Sequence, residues 1–172
     1  MARTGAGDTW AAGAMAGFLA TVPMSVAMGA LHQRLPREDQ RRLPPRKVMM
    51  RLAGALGLRQ GLGERQRQVA TAAGHFAYGA AGGALYARLC DALALPPALC
   101  GPAFGLAVWA ASYLGVLPTL GLMRPATEHP VRYNALIIVS HLVWGGCLGV
   151  LVQYLRPATG GPGNAPHRLG DN

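Results

Sequence analysis

The chain has 172 residues, 51% of them apolar and only 13% charged, with sixteen Lys and Arg against seven Asp and Glu. Soluble domains carry about 25% charged residues spread over polar faces, so this composition argues against an ordinary soluble domain. The formal charge of +9 does not indicate nucleic-acid binding, because the cations crowd into one loop beside apolar stretches, with no interleaved aromatics and no recognisable module.

Four stretches lack Asp, Glu, Lys and Arg: residues 10–31, 69–87, 98–123 and 134–155. Each is long enough to cross a hydrocarbon core of about 30 Å at about 1.5 Å per helical residue. Apolar residues run almost all round them, so no polar face remains for solvent. The predicted fold class is therefore all-α, a polytopic membrane protein with a compact bundle of about four transmembrane helices.

The first span follows a short amino terminus, residues 1–9, and is too long for a signal peptide; no small-x-small cleavage site precedes the basic loop, so it is read as retained. It carries Gly13 and Gly17 four residues apart and a bend at Pro23. The loop 32–68 then holds ten of the sixteen cations: Arg34, Arg37, Arg41, Arg42, Arg46, Lys47, Arg51, Arg59, Arg65 and Arg67. Its first part, with Pro36, Pro44 and Pro45, reads as irregular. From Arg46 to Leu58 the sequence RKVMMRLAGALGL places Met49, Leu52, Ala53 and Leu56 at helical spacing. Such a helix is suited to lie in the membrane interface, with Arg46, Lys47 and Arg51 against anionic lipid head groups.

The second span contains His75, Tyr78, Gly79 and Gly83, and the third contains Gly101, Gly105, Pro102 in its first turn and Pro118 near its end. Cys90 and Cys100 fall near the ends of the second and third spans on the expected outer side, where a disulfide is chemically possible in an oxidising periplasm, although spacing alone does not fix its geometry. The fourth span contains His141, Trp144, Gly145, Cys147 and Gly149. The Gly- and Pro-rich tail 156–172 is expected to be disordered.

With four crossings, the loop 32–68 and the connection bearing Arg124 and Arg132 fall on one side, leaving Arg3, Arg88, Arg156 and Arg168 on the other. Twelve cations against four predict a cytoplasmic basic loop and periplasmic termini. Gly-xxx-Gly in every span allows close backbone approach, either within the chain or against a second copy in a homo-oligomer.

His75 and His141 are the only titratable side chains deep within the spans. Each lies six or seven residues in from the expected cytoplasmic end, about 9–10 Å below it. Tyr78 and Trp144, three residues further on, fall on the same helix faces, and Ser25, Ser112, Tyr113, Thr119 and Ser140 supply nearby hydroxyls. An intramembrane imidazole serves either an interhelical hydrogen bond or the handling of protons or a small solute. Haem ligation between the two histidines is a further alternative, although no cofactor or metal is predicted. No carboxylate lies in any span, and no nucleophile triad, phosphate loop or dinucleotide fingerprint occurs, so no enzyme activity is expected.

Several motifs carry a resemblance: AGAMAGFLA at Ala12–Ala20, LPPR at Leu43–Arg46, the stretch His75–Tyr86, LPTLGL at Leu117–Leu122 with Pro125, and HLVWG at His141–Gly145. Together they resemble the YagU-like family of uncharacterised bacterial inner-membrane proteins. The resemblance implies a small multi-pass inner-membrane protein and brings no catalytic residue. The expected function is a non-enzymatic packing or envelope-maintenance component, with a small transporter or channel subunit acting through the histidine layer as the alternative.

Overall fold

A computed structural model describes residues 6–40, 43–93 and 97–155; the tail expected to be disordered lies outside them. Among the described residues there are helices and turns and no strand. The helices are α1 (Ala6–Gln33), α2 (Pro44–Ala55), α3 (Glu64–Leu93), α4 (Pro97–Ala110), α5 (Leu117–Thr119) and α6 (Val131–Leu155), with a π turn, Ala111–Val116, joining α4 to α5.

Three of the apolar segments, Gly7–Gln33, Leu99–Thr119 and Val131–Leu155, are long and apolar enough to cross a membrane. The fourth expected span lies within α3, which falls short of that measure. The reason is compositional: Val69–Ala87 carries four Gly, Thr71, His75, Tyr78 and Tyr86 with few large aliphatic side chains, and Glu64, Arg65, Arg67 and Arg88 lie at its edges.

Local signals explain most of the boundaries. Pro44 and Pro45 open α2, where their missing N–H groups need no partner. Its other end is a Schellman motif: Gly57 adopts φ 71°, Leu58 N–H donates to the Ala53 carbonyl and Gly57 N–H to that of Gly54. The same motif ends α5, with Gly121 at φ 65° and Leu122 N–H donating to the Leu117 carbonyl. That turn stops the helix at Thr119, four residues before the expected end of the third span.

The π turn has its cause in Pro118. A proline there cannot donate to the Leu114 carbonyl, and its ring crowds that group. The backbone widens one turn earlier, so that Leu117 N–H reaches back five residues to the Ser112 carbonyl. Pro23, by contrast, is accommodated within α1, which continues to Gln33.

The eight paired glycines form two antiparallel crossings. Between α1 and α3, a Cβ on Gly13 would strike the Gly83 carbonyl and the Ala87 methyl, one on Gly17 the Gly79 carbonyl, and one on Gly79 the Thr21 hydroxyl. Between α4 and α6, Gly101 lies against the Gly145 carbonyl and the Gly149 Cα, and Gly105 against the His141 carbonyl. At both crossings only glycine leaves room for the facing backbone. The two pairs are joined through α1 and α6, where Ala16, Ala20, Met24, Trp144, Leu148 and Val152 are buried. Trp144 is the central strut. Its indole N–H donates to the Gly17 carbonyl at 3.3 Å, and its ring packs on Phe104 and closely over Gly82.

Around the bundle the order is thus α3, α1, α6, α4, and α3 touches α4 only sparsely. Large apolar side chains point outward from every long helix, including Phe18 and Val26 of α1, Val69 and Leu85 of α3, Leu106 of α4 and Val150 of α6.

Candidate functional site: a histidine-lined pocket under α2

The sparse seam between α3 and α4 opens into a pocket of about 280 Å³. Gly74, His75 and Tyr78 of α3 form one wall, Ser112, Tyr113 and Val116 of the π turn with Leu117 form another, and His141 of α6 closes the back. The roof is α2, through Pro44, Pro45, Val48, Met49 and Leu52.

Each polar group is held by a definable local feature. His141 is buried, with 5% exposure, and its Nδ1 lies 2.8 Å from the Ile137 carbonyl oxygen. A carbonyl only accepts, so Nδ1 carries the proton and Nε2 is left as an acceptor. Tyr113 stands edge-on to this imidazole, with ring centroids 5.8 Å apart and planes at 88°. Tyr78 and Ser112 share a hydrogen bond of 2.8 Å across the seam. His75 differs from them: its Nε2 is buried and has no hydrogen-bond partner. Leaving a buried polar nitrogen unpaired costs roughly 1–3 kcal/mol, and because this atom has no accessible surface, the packing around it would have to shift before a ligand could pair with it.

The π turn is what brings Ser112 and Tyr113 to the pocket, and both are buried. The other hydroxyls named from the sequence are occupied elsewhere: Ser25, Thr119 and Ser140 each donate to the carbonyl four residues back. Of the four residues expected to form a polar layer, the pocket brings together His75, Tyr78 and His141. Trp144 is not among them. It follows His141 by three residues, but the rotation of α6 turns its indole toward α1, where it serves packing.

The roof is fastened at three places. Arg46 forms an ion pair with Glu64 at the start of α3, at 2.7 Å, and Arg51 donates to the Gly121 carbonyl at 2.6 Å. The Met49 methyl group is seated closely on Gly74, where a Cβ would displace it. The hydrogen bond from Arg46 holds the Glu64 carboxyl below the usual carboxylate range, and the same contact raises the Arg46 guanidinium. Arg46 and Arg51, both expected at lipid head groups, are therefore engaged with protein groups. The apolar side of α2 is divided: Met50 and Ala53 are buried, while Leu52 and Leu56 are 40% and 71% exposed. Periodicity in the sequence marked the helix but not the cavity beneath it.

Two imidazoles are the metal-type ligands in this pocket, and no group of three His, Cys, Asp or Glu able to hold a metal ion occurs among the described residues. No family model matches the chain, and no curated protein or solved structure is significantly similar to it.

Proposed function

We propose that the chain is a four-span protein of the bacterial inner membrane that binds a small, mostly apolar molecule bearing a hydrogen-bonding group in the pocket beneath α2. The observation that carries this reading is a cavity of about 280 Å³ that His75, Tyr78, Ser112 and His141 line together while its remaining lining is largely apolar. Pockets of this build, apolar with a few convergent polar groups, are the usual form of small-molecule sites.

Of the two functions expected from the sequence, the pocket favours solute handling over a packing role. All four Gly-xxx-Gly faces are used inside one chain, so they give no reason to invoke a second copy. The asymmetry of the cations supports a cytoplasmic α2 and periplasmic termini. Exposed Leu52, Leu56 and Leu58 support contact between α2 and the lipid interface, with neighbouring cations near anionic head groups. The YagU-like resemblance fits the same assignment: its motifs fall on the two glycine crossings, the roof, α5 with the turn that ends it, and His141.

Native mass spectrometry of the protein released from its own membranes tests the proposal. Wild-type protein should retain a bound small molecule, and Gly74→Leu, which fills the pocket from the α3 wall, should release it. A wild-type protein free of any bound species, together with no His75-dependent solute or proton flux in liposomes, would remove the basis for the proposal.

A further inference from the structure

We infer that Cys90 and Cys100 form an intramolecular disulfide bond that fastens α3 to α4 at the end of the bundle opposite the pocket. The two Sγ atoms lie 2.6 Å apart, within van der Waals contact and not far above the covalent distance of about 2.05 Å. Cys90 is in the last turn of α3 and Cys100 in the first turn of α4. Cys100 is 4% exposed and Cys90 half-buried, which favours pairing within the chain over pairing with another copy. The Tyr86 hydroxyl, 3.5 Å from the Cys90 sulfur, and Phe104, whose ring lies 5.3 Å from that of Tyr86, pack beside the site.

The placement gives the bond a purpose. The long helices are joined by glycine crossings or by the Trp144 core, except at the seam between α3 and α4. There the pocket end is bridged by Tyr78 and Ser112, and the far end by the two cysteines. The disulfide would hold the far end of the seam while leaving the pocket end held by one hydrogen bond.

Formation is a two-electron oxidation. One thiol loses its proton and attacks the disulfide of an oxidised dithiol protein, giving a mixed disulfide; the second thiolate displaces the partner's sulfur, which leaves as a dithiol. Two protons and two electrons pass from the cysteines to that partner. The chemistry needs an oxidising compartment. The cysteines lie at the end where Gly13 meets Ala87, so the start of α1 is beside them, on the side proposed to be periplasmic. In that respect the inference rests on the proposed orientation.

The full chain, acid-quenched in cells and denatured, should take up one maleimide-polyethylene glycol label before reduction, at Cys147, and three after it. Cys147→Ser should take up none and then two, and Cys100→Ser should expose Cys90 to label without reduction. Three labels on unreduced wild-type protein would overturn the inference, as would a covalent dimer that Cys100→Ser abolishes. A reporter fused after Asn172 is read in parallel: outward termini with free thiols defeat the disulfide alone, whereas inward termini defeat the orientation as well.

Discussion

A Cβ built on Gly145 would collide with the Gly101 carbonyl of α4, whereas one built on Gly146, the next residue, would meet nothing within 4 Å. The pair therefore separates what glycine does at a crossing from what it costs a helix. Gly145→Ala should destabilise the detergent-solubilised protein by about 1–3 kcal/mol through overpacking, read as a lower thermal midpoint. Gly146→Ala should raise the midpoint, since replacing glycine inside a helix is worth roughly 0.5–1 kcal/mol. Equal responses at the two positions would mean that α4 and α6 do not meet as described. The four-residue spacing of the glycines was legible in the sequence because periodicity alone assigns them to one face. What each face meets was not, since the pairing of α1 with α3 and α4 with α6 depends on how the helices are arranged. Trp144 illustrates the same limit. Spacing relates it to His141, but only the rotation of α6 decides that its indole reaches Gly17.

Among the elements, α4 and its π turn make a sharper test of how the pocket is built. Pro118→Ala restores an N–H able to reach the Leu114 carbonyl, which should let the π turn relax to an α turn. Ser112 and Tyr113 would then rotate relative to α3, losing the Tyr78 hydrogen bond. The variant should be at least as stable as wild type by thermal unfolding and yet lose the bound molecule. Retained binding with unchanged helix geometry would show that the wide turn does not shape the site. Proline in the sequence announced a bend at this place, but not that the bend would deliver two hydroxyls. The roof is the other informative element. Because the Arg46 contact holds the Glu64 carboxyl below its ordinary range, the pair's contribution is complete above that range and is lost as pH falls through the depressed value. Exposure keeps the effect small. Hydrogen exchange of the α2 amides, corrected for the intrinsic rate, should therefore rise on acidification in the wild type. Glu64→Gln should show the faster exchange already at neutral pH and little further change; identical profiles would leave the pair without a role in holding the roof.

At the scale of the whole molecule the open quantity is the number of crossings, and α3 decides it. Taken alone, α3 has too few large aliphatic residues to rank with the three apolar helices. It is, however, held to α1 in antiparallel register, with Gly13 facing Gly83 and Ala87, Gly17 facing Gly79 and Gly83, and Gly79 facing Thr21. Phe18 and Phe76 extend the contact, with ring centroids 4.9 Å apart. If α1, 28 residues long and hence about 42 Å, crosses the bilayer, α3 is carried across beside it with its carbonyls and small side chains covered by α1 and its Val69 and Leu85 facing lipid. Leaving α3 in water would strip those glycines of their partner helix and expose the backbone that they bring together. Four crossings place the two termini on one side, and three would place them on opposite sides. Reporters fused before Met1 and after Asn172 should therefore both report the periplasm. Opposite readings would mean that α3 does not cross, and the pocket, which needs His75 beside His141, would then have to be assembled in some other way.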